Sequence, residues 1–539
     1  MGLDFQFTPR RFPTLELMAS TEMACREMEA VEFEVLENKE RAQRVRSVVA
    51  AHIEKFADIK IKSNVTKKEM LLIKKLKDDS TLRITSADKG KAVVIEDDTV
   101  YRRKNMDTIE QSDCVPAGDD EKKLVDGLKR KLKEAMRKCG LDDKEARKYL
   151  VPAAEVALQY LLIKVHKPRK GCPGRQVVSM VNDAMVRICK ELTRILLPIE
   201  AKAKSFIRDS YHLKEMLSEF WKRQKDDVLA VWPSGEEEFI NFREKYLNQK
   251  EKRIQWSGEY EENGSLAVLD MVCTRVEGRI VTRVHRKGTH TLKFASSRTN
   301  RPRREALGSL KGLVNRAIRL SDKEEDLAKE VELLSDAFIL EGFSVEEVDR
   351  TVSEYLAKKM KNEVEDQSQE EEENVAQPEE DRYVIASLYV PGVSEKLRWQ
   401  LKKLGVDLVF KRGQTLGSMI CNVKEKRTAE RQKGVIYKIP CQHCQECYIG
   451  ETCRHWGTRK AEHQGYVRRG EADKSGVANH AINMLHKPDW QNSCVVAKES
   501  RTYKRRMMES ILIQARTGGD DDMPEIMNED NNYRLDSTW

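Results

Sequence analysis

Apolar positions recur along this chain with two periods, and the switches between them divide it into elements. Residues 13 to about 56 carry apolar positions among Glu, Met and Ala without Gly or Pro after Pro13, which predicts one or two helices. Thr66 and Glu69 stand at capping-box spacing ahead of Leu71, Leu72 and Leu76, marking another helix start. Leu82 to Ile95 reads as two short strands about a Ser-Ala-Asp-Lys-Gly turn. The stripe of Leu124, Leu128 and Leu132, closed by Gly140, predicts a helix from about Asp119 to Lys138. Ile280, Thr282 and Val284 alternate with basic neighbours as strands do. Residues 304 to 360 return to helical spacing, with capping boxes expected at Ser321 with Glu324 and Ser344 with Glu347, and Gly342 as separator. Tyr383 to Ile420 reads strand, helix from about Ser394, and strand at Val406 to Phe410, in βαβ order. Gly434 to Ile439 alternates as a strand, Cys447 to Gly450 reads as its antiparallel return, and a helix follows from an expected Thr452 cap.

Composition adds boundaries. A chain of 539 residues suits two to four domains. No run of eighteen apolar residues is present and the start MGLDFQFTPRRFP lacks an apolar signal core, so neither a membrane span nor a secretion signal is expected. The net charge of +8 is modest but uneven: basic clusters suit a polyanionic partner or are ordinary solvated charge, and residues 363 to 381 form an acidic run without periodicity that reads as a disordered linker. Twelve cysteines without a secretion signal favour reduced thiols and metal ligation over disulfides.

The chemically loaded stretch is Gly434 to His463. Tyr437 and Tyr448 fall on paired strands, while Arg459 and His463 fall one turn apart on one helix face. Cys441, Cys444 and Cys447 make C-x-x-C-x-x-C in the intervening loop, with His480 and His486 on a helix from Ser475 and just past it. Tetrahedral zinc takes four nitrogen or sulfur donors, although redox pairs share the C-x-x-C spacing.

The tyrosine pair, the arginine and Glu509 in YKRRMMESILI resemble the GIY-YIG nuclease module, in the version carried by Penelope-like retroelements. The resemblance implies that Tyr437 abstracts or relays the proton of the attacking water, Tyr448 orients that network, and Arg459 contacts the scissile phosphate with its planar fork. It further implies that Glu509 ligates one magnesium or manganese ion, that His463 assists, and that Asn528 braces the site. In that family two loop cysteines pair with two histidines on structural zinc, here Cys441, Cys444, His480 and His486, with Cys447 as a neighbour able to compete. Such zinc would hold the two tyrosine strands in register. Val435 and Cys453 occupy positions that the family commonly fills with glycine, and Gly457 inside the helix costs roughly 1 kcal/mol relative to alanine.

The resemblance extends upstream. Leu82 to Ile95 resembles a signature near the start of these polyproteins, and YLLIKVHKPRKGCPGRQVVSMVNDAM resembles reverse-transcriptase fingers, implying that Lys164, His166, Lys167 and Arg175 meet template or triphosphate; a solvated basic loop is the plain alternative. Arg286, Lys287 and His290 lie where the family approaches nucleic acid, and either hold a duplex by its phosphates or are exposed sheet charges. Arg398, Lys402, Lys403, Lys411 and Arg412 add a basic flank or surface charge. The palm, however, is too short. Gln224, Lys225, Asp226 and Asp227 stand in place of the Tyr-x-Asp-Asp box roughly fifteen residues after Ser210, leaving no room for the earlier strand whose carboxylate two-metal chemistry requires. No reverse transcriptase activity is expected.

The fold expected is therefore α+β and multidomain: a helical N-terminal region (1–80), a fingers-like remnant (81–225), a palm-end and thumb-like remnant (226–362), the acidic linker (363–381), a connector (382–432) and an α/β GIY-YIG domain (433–539). The function expected is metal-dependent DNA nicking, with DNA and element RNA as partners, nuclear or else cytoplasmic residence, and a homodimer wherever both strands are cut. The alternatives are a catalytically inactive nucleic-acid-binding relic and a zinc-stabilised scaffold without salt-dependent DNA affinity.

Overall fold

The computed structural model describes residues 2–31, 35–89, 92–111, 120–151, 154–181, 183–201, 209–211, 214, 235–249, 256–277, 279–288, 290–366, 383–422, 428–517, 527–528 and 535–539. The Gln224 to Asp227 box and residues 367–381 of the acidic run lie outside them. The fold is mixed α+β, with 51% helix and 17% strand, and its strands form small separate sheets. Among the described residues no helix is long and apolar enough to cross a membrane.

Two N-terminal helices, α1 (Thr14–Glu29) and α2 (Val35–Phe56), precede α3 (Lys67–Asp78), whose Thr66–Glu69 capping box is formed as its spacing predicts. The hairpin β1 (Leu82–Ser86) and β2 (Val93–Asp97) follows, then α4 (Asp98–Glu110), α5 (Glu121–Lys138) and α6 (Asp143–Tyr149). A second antiparallel hairpin, β3 (Leu158–Ile163) and β4 (Gly174–Ser179), leads to α7 (Val186–Ala201) and α8 (Glu236–Phe242). The meander β5 (Ser265–Val268), β6 (Met271–Val276) and β7 (Arg279–Val284) then meets a bundle of α9 (Arg303–Leu320), α10 (Glu324–Leu340) and α11 (Val345–Asp366). The bundle has its own core of Leu310, Val314, Leu334, Phe338, Phe343 and Val348.

Ser344 and Glu347 make the expected reciprocal cap, at 3.0 and 3.3 Å. Ser321 does not cap α10. It ends α9 instead, because the neighbouring Asp322 carboxylate turns to β7, accepting from the Thr282 backbone at 2.6 Å and its hydroxyl at 2.9 Å. A tertiary bond has displaced a local one. The helix α11 runs to Asp366, so the first residues of the acidic run are helical.

The connector is a parallel pair, β8 (Tyr383–Leu388) and β9 (Val406–Lys411), joined by α12 (Ser394–Lys402) and followed by α13 (Leu416–Ile420). It shares one core with the N-terminal helices: Leu17, Cys25 and Met28 of α1 and Val45 and Val49 of α2 pack on Ile385, Leu397, Leu401 and Leu408. The other side of α1 brings Ala19 into the core of the last unit. That unit comprises β10 (Val435–Pro440), β11 (Cys447–Thr452), α14 (Trp456–Arg469), α15 (Gly476–Asn483), β12 (Cys494–Lys498) and α16 (Thr502–Thr517), with β10 central in a three-stranded antiparallel sheet. Thr452 pairs with Val435 as the last residue of β11, so strand pairing keeps it from capping a helix, and α14 begins only after His455.

Candidate active site and metal centre

Register builds the site. Across β10 and β11, Tyr437 lies opposite Gly450 and Tyr448 opposite Ile439, which puts both phenols on one face of the sheet, their rings 6.2 Å apart. Gly450 is the spacer. A Cβ there would fall 2.6 Å from the Tyr437 hydroxyl and 2.7 Å from Tyr448 Cε1, closer than side chains tolerate. Gly457, early in α14, is explained similarly, since a Cβ would crowd Glu430 at 3.1 Å. Val435 is fully buried among Tyr437, Ile439, Trp456 and Val477.

The helix α14 covers this face. Trp456 stacks on Tyr437 at 4.2 Å, and the fully buried Tyr437 hydroxyl meets His463 Nε2 at 2.8 Å and receives Arg459 Nε at 3.2 Å. His463 Nδ1 lies 2.7 Å from Ser475 Oγ at the start of α15. Because a guanidinium only donates, the phenol oxygen accepts from Arg459; directing its hydrogen to His463 Nε2 assigns the ring's N–H to Ser475. Burial, then the Arg459 charge, pushes His463 down to about 3, so the ring is neutral. Burial likewise raises both phenols, assisted by the Glu509 carboxylate and opposed by Arg459, which keeps them protonated at neutral pH.

The sheet's other face packs Ile436, Cys447 and Ile449 on Met507, Met508, Ile511 and Ile513 of α16. That packing positions Glu509, nearly fully buried, within reach of both phenols' electrostatics. Asn528 acts on the edge strand: its amide donates to Ile449 O at 2.7 Å and accepts from Ile449 N at 3.0 Å, imitating a further strand beside Tyr448. Tyr437, Tyr448, Arg459, His463 and Glu509 are thus gathered at one place, with Asn528 bracing its wall.

Cys441, Cys444, His480 and His486 form a second cluster, one donor atom of each within 4.8 Å of the others. His480 Nε2 lies 3.4 Å from Cys441 Sγ, 3.6 Å from Cys444 Sγ and 3.2 Å from His486 Nδ1. Tetrahedral zinc separates its donors by roughly 3.4 to 3.8 Å, given Zn–S near 2.3 Å and Zn–N near 2.1 Å, so this donor set fits such an ion. The other nitrogen of His480 faces Glu446 Oε2 at 3.2 Å, the outer-shell partner that orients a ligating imidazole. The loop carrying His486 is tied to the β10–β11 loop by Gln442 N to Lys487 O at 2.9 Å. Cys447 does not compete for the metal: it points to the opposite face, into the core under α16.

The upstream basic residues lie elsewhere. Lys164, His166 and Lys167 sit at the turn of the β3–β4 hairpin, where Lys167 is exposed, and Arg175 in β4 pairs with the buried Asp88 at 2.6 Å. Arg286, just beyond β7, is ion-paired with Glu330 of α10, whereas Lys287 and His290 are exposed. Sequence reasoning passed over Ser475 as a support for His463, and over Glu462 and Arg454. Glu462 was findable, because it stands three residues from Arg459 on a helix. Arg454 was not, since it reaches the site from the turn before α14. Compared with known proteins, the chain matches no family model, no curated protein and no solved structure.

Proposed function

We propose that this chain is a metal-dependent DNA endonuclease of the GIY-YIG kind, from a Penelope-like retroelement whose polymerase core is incomplete and inactive. The observation that carries the reading is the Tyr437 hydroxyl bonded to both His463 and Arg459, with the buried Glu509 carboxylate near enough for its charge to raise both phenols. Phosphodiester hydrolysis needs a proton acceptor for water, charge on the phosphate and help for the leaving oxygen. Tyr437 has no solvent face and stays protonated, which suits a relay that passes a proton to the neutral His463. Tyr448 is less completely buried and is the phenol nearer water; bonded to Tyr437, it would take the water's proton while its own passes to Tyr437 and that of Tyr437 to His463. Arg459 would hold the scissile phosphate while its Nε keeps Tyr437 aligned. Glu509 would hold a magnesium or manganese ion, a single carboxylate leaving most of the octahedral shell to water and phosphate oxygens; the ion supplies Lewis-acid charge.

The ion at Cys441, Cys444, His480 and His486 is proposed to be structural zinc. Its role is to close the loop between β10 and β11, so that the tyrosine strands keep their register. The exposed cations of the β3–β4 turn and of the segment beyond β7 would contribute sequence-independent phosphate contacts. DNA is the substrate, element RNA a further partner, and the nucleus the place of action.

The test is plasmid nicking by the full-length chain with magnesium, compared with Arg459→Ala and Glu509→Ala. Nicking by the parent, reduced at least about a hundredfold in both variants, is the expected result. A folded, zinc-bearing parent that binds DNA without nicking it would overturn the enzyme reading in favour of a binding relic.

A further inference from the structure

Arg459 has a second partner that catalysis does not require. Its Nη1 donates to Glu462 Oε2 at 3.0 Å, and the same carboxylate takes two bonds from Arg454, Nη1 to Oε1 at 2.6 Å and Nη2 to Oε2 at 2.8 Å. Arg454 sits in the turn between β11 and α14, its backbone N–H held by Thr452 Oγ1 at 3.1 Å. Two guanidiniums therefore converge on one anion at the mouth of the tyrosine site. Its exposure is graded: Arg459 is 24%, Glu462 26% and Arg454 52% exposed.

An exposed arginine–glutamate pair ordinarily contributes little stability, so stability is a poor reason for this arrangement. Geometry supplies a better one. A carboxylate gripped by paired forks presents the same bidentate oxygen edge as a phosphate. Two arginines against one glutamate also leave one positive charge unneutralised, the charge of a single phosphodiester. Glu462 cannot stay between the two forks once a phosphate enters, because the anions would then meet at contact distance in a partly desolvated site.

Resting on the nuclease reading, we propose that Glu462 is a built-in stand-in for the DNA phosphate, holding Arg454 and Arg459 in their binding positions until the backbone displaces it, and that Arg454 is a second phosphate-binding residue. Glu462 is thus a positioning residue that sets a threshold: DNA must outcompete an internal anion before the scissile phosphate reaches Arg459.

The experiment measures binding of the full-length chain to a duplex oligonucleotide at several salt concentrations, with calcium in place of magnesium, alongside plasmid nicking with magnesium. Glu462→Gln keeps the shape and removes the competing charge, and is expected to tighten binding roughly three- to tenfold at low salt. Arg454→Ala is expected to weaken binding and to reduce the slope of log affinity against log salt by about one. In the double variant the gain from Glu462→Gln should shrink, since one of the two forks that it frees is gone. A merely structural ion pair would move the melting midpoint and leave the salt slope alone. If the parent binds and nicks while Glu462→Gln binds no tighter and Arg454→Ala keeps the parent slope, the stand-in is refuted and the nuclease reading survives. If the parent binds no duplex at all, the nuclease reading fails and takes this proposal with it.

Discussion

His463 shows how one buried side chain ties chemistry to stability. Fully enclosed between Tyr437 and Ser475 and beside the Arg459 charge, it titrates near 3 in the fold, against about 6.5 in an unfolded chain. The sign follows from linkage. Between those values the unfolded chain binds a proton that the folded chain refuses, so stability falls as pH drops below about 6.5 and is level above it. For this one ring the loss between pH 7 and pH 5 is on the order of 2 kcal/mol. Urea unfolding at both pH values should therefore show a smaller acid loss for His463→Gln than for the parent. His52, also buried and pushed down to about 4, titrates in both proteins and cancels from the comparison. Equal losses in parent and variant would mean that His463 takes up its proton in the fold as readily as in the unfolded chain, so that burial does not reserve it as a neutral acceptor for Tyr437.

At the scale of elements, the loop between β10 and β11 matters most, because it sets which residue faces which across the tyrosine strands. Its two thiols meet one histidine from α15 and one from the segment after it, so a bound ion joins three pieces of chain. On the proposed reading, removal of the zinc by a chelator under reducing conditions should lower the melting midpoint and abolish nicking, and Cys444→Ser should do the same with reduced metal content. Cys447→Ser is the control. It buries a hydroxyl in the core under α16 and should cost about 1–3 kcal/mol, yet retain one zinc per chain by metal analysis; a metal-free Cys447→Ser would place the thiol in the ligand set after all. β10, β11 and the tyrosine pairing were legible in the chain because strand period and turn length are local, whereas the four-donor set came from the family resemblance, His480 lying 36 residues beyond Cys444, and β12 went unread. The Thr452 cap failed where strand pairing ran on to that residue, and the Ser321 box failed where Asp322 found Thr282 in a distant strand. Local rules could not foresee either competitor, nor that Arg454 would reach across a turn to share the Glu462 carboxylate with Arg459.

At the scale of the whole molecule, the helix least informative in sequence turns out to be the one that joins the rest. α1 reads as an ordinary Glu- and Met-rich helix, yet its Leu17, Cys25 and Met28 complete the connector core while Ala19 enters the core beneath the tyrosine sheet. Its Ser20 hydroxyl accepts from the backbone of Ala386, 366 residues away, at 2.8 Å. Glu22 links both ends of the chain, taking Arg46 at 2.8 Å and the indole N–H of Trp539 at 3.1 Å; burial pushes this carboxyl up, but its bonds to Arg46, Arg26 and Trp539 outweigh that and hold it below the usual range. A fragment beginning at the connector would expose all of these surfaces, so the unit that carries the tyrosine site is best studied in the intact chain. The coupling can be measured by hydrogen exchange on Leu17→Ala, a truncation expected to cost about 2–5 kcal/mol. If α1 is the common support, exchange should quicken in β8, β9 and α16 together, whereas the α9–α11 bundle, which keeps its own core, should be unmoved. Faster exchange confined to α1 and α2 would instead mean that the N-terminal helices fold apart from the site, and that the tyrosine sheet stands without them.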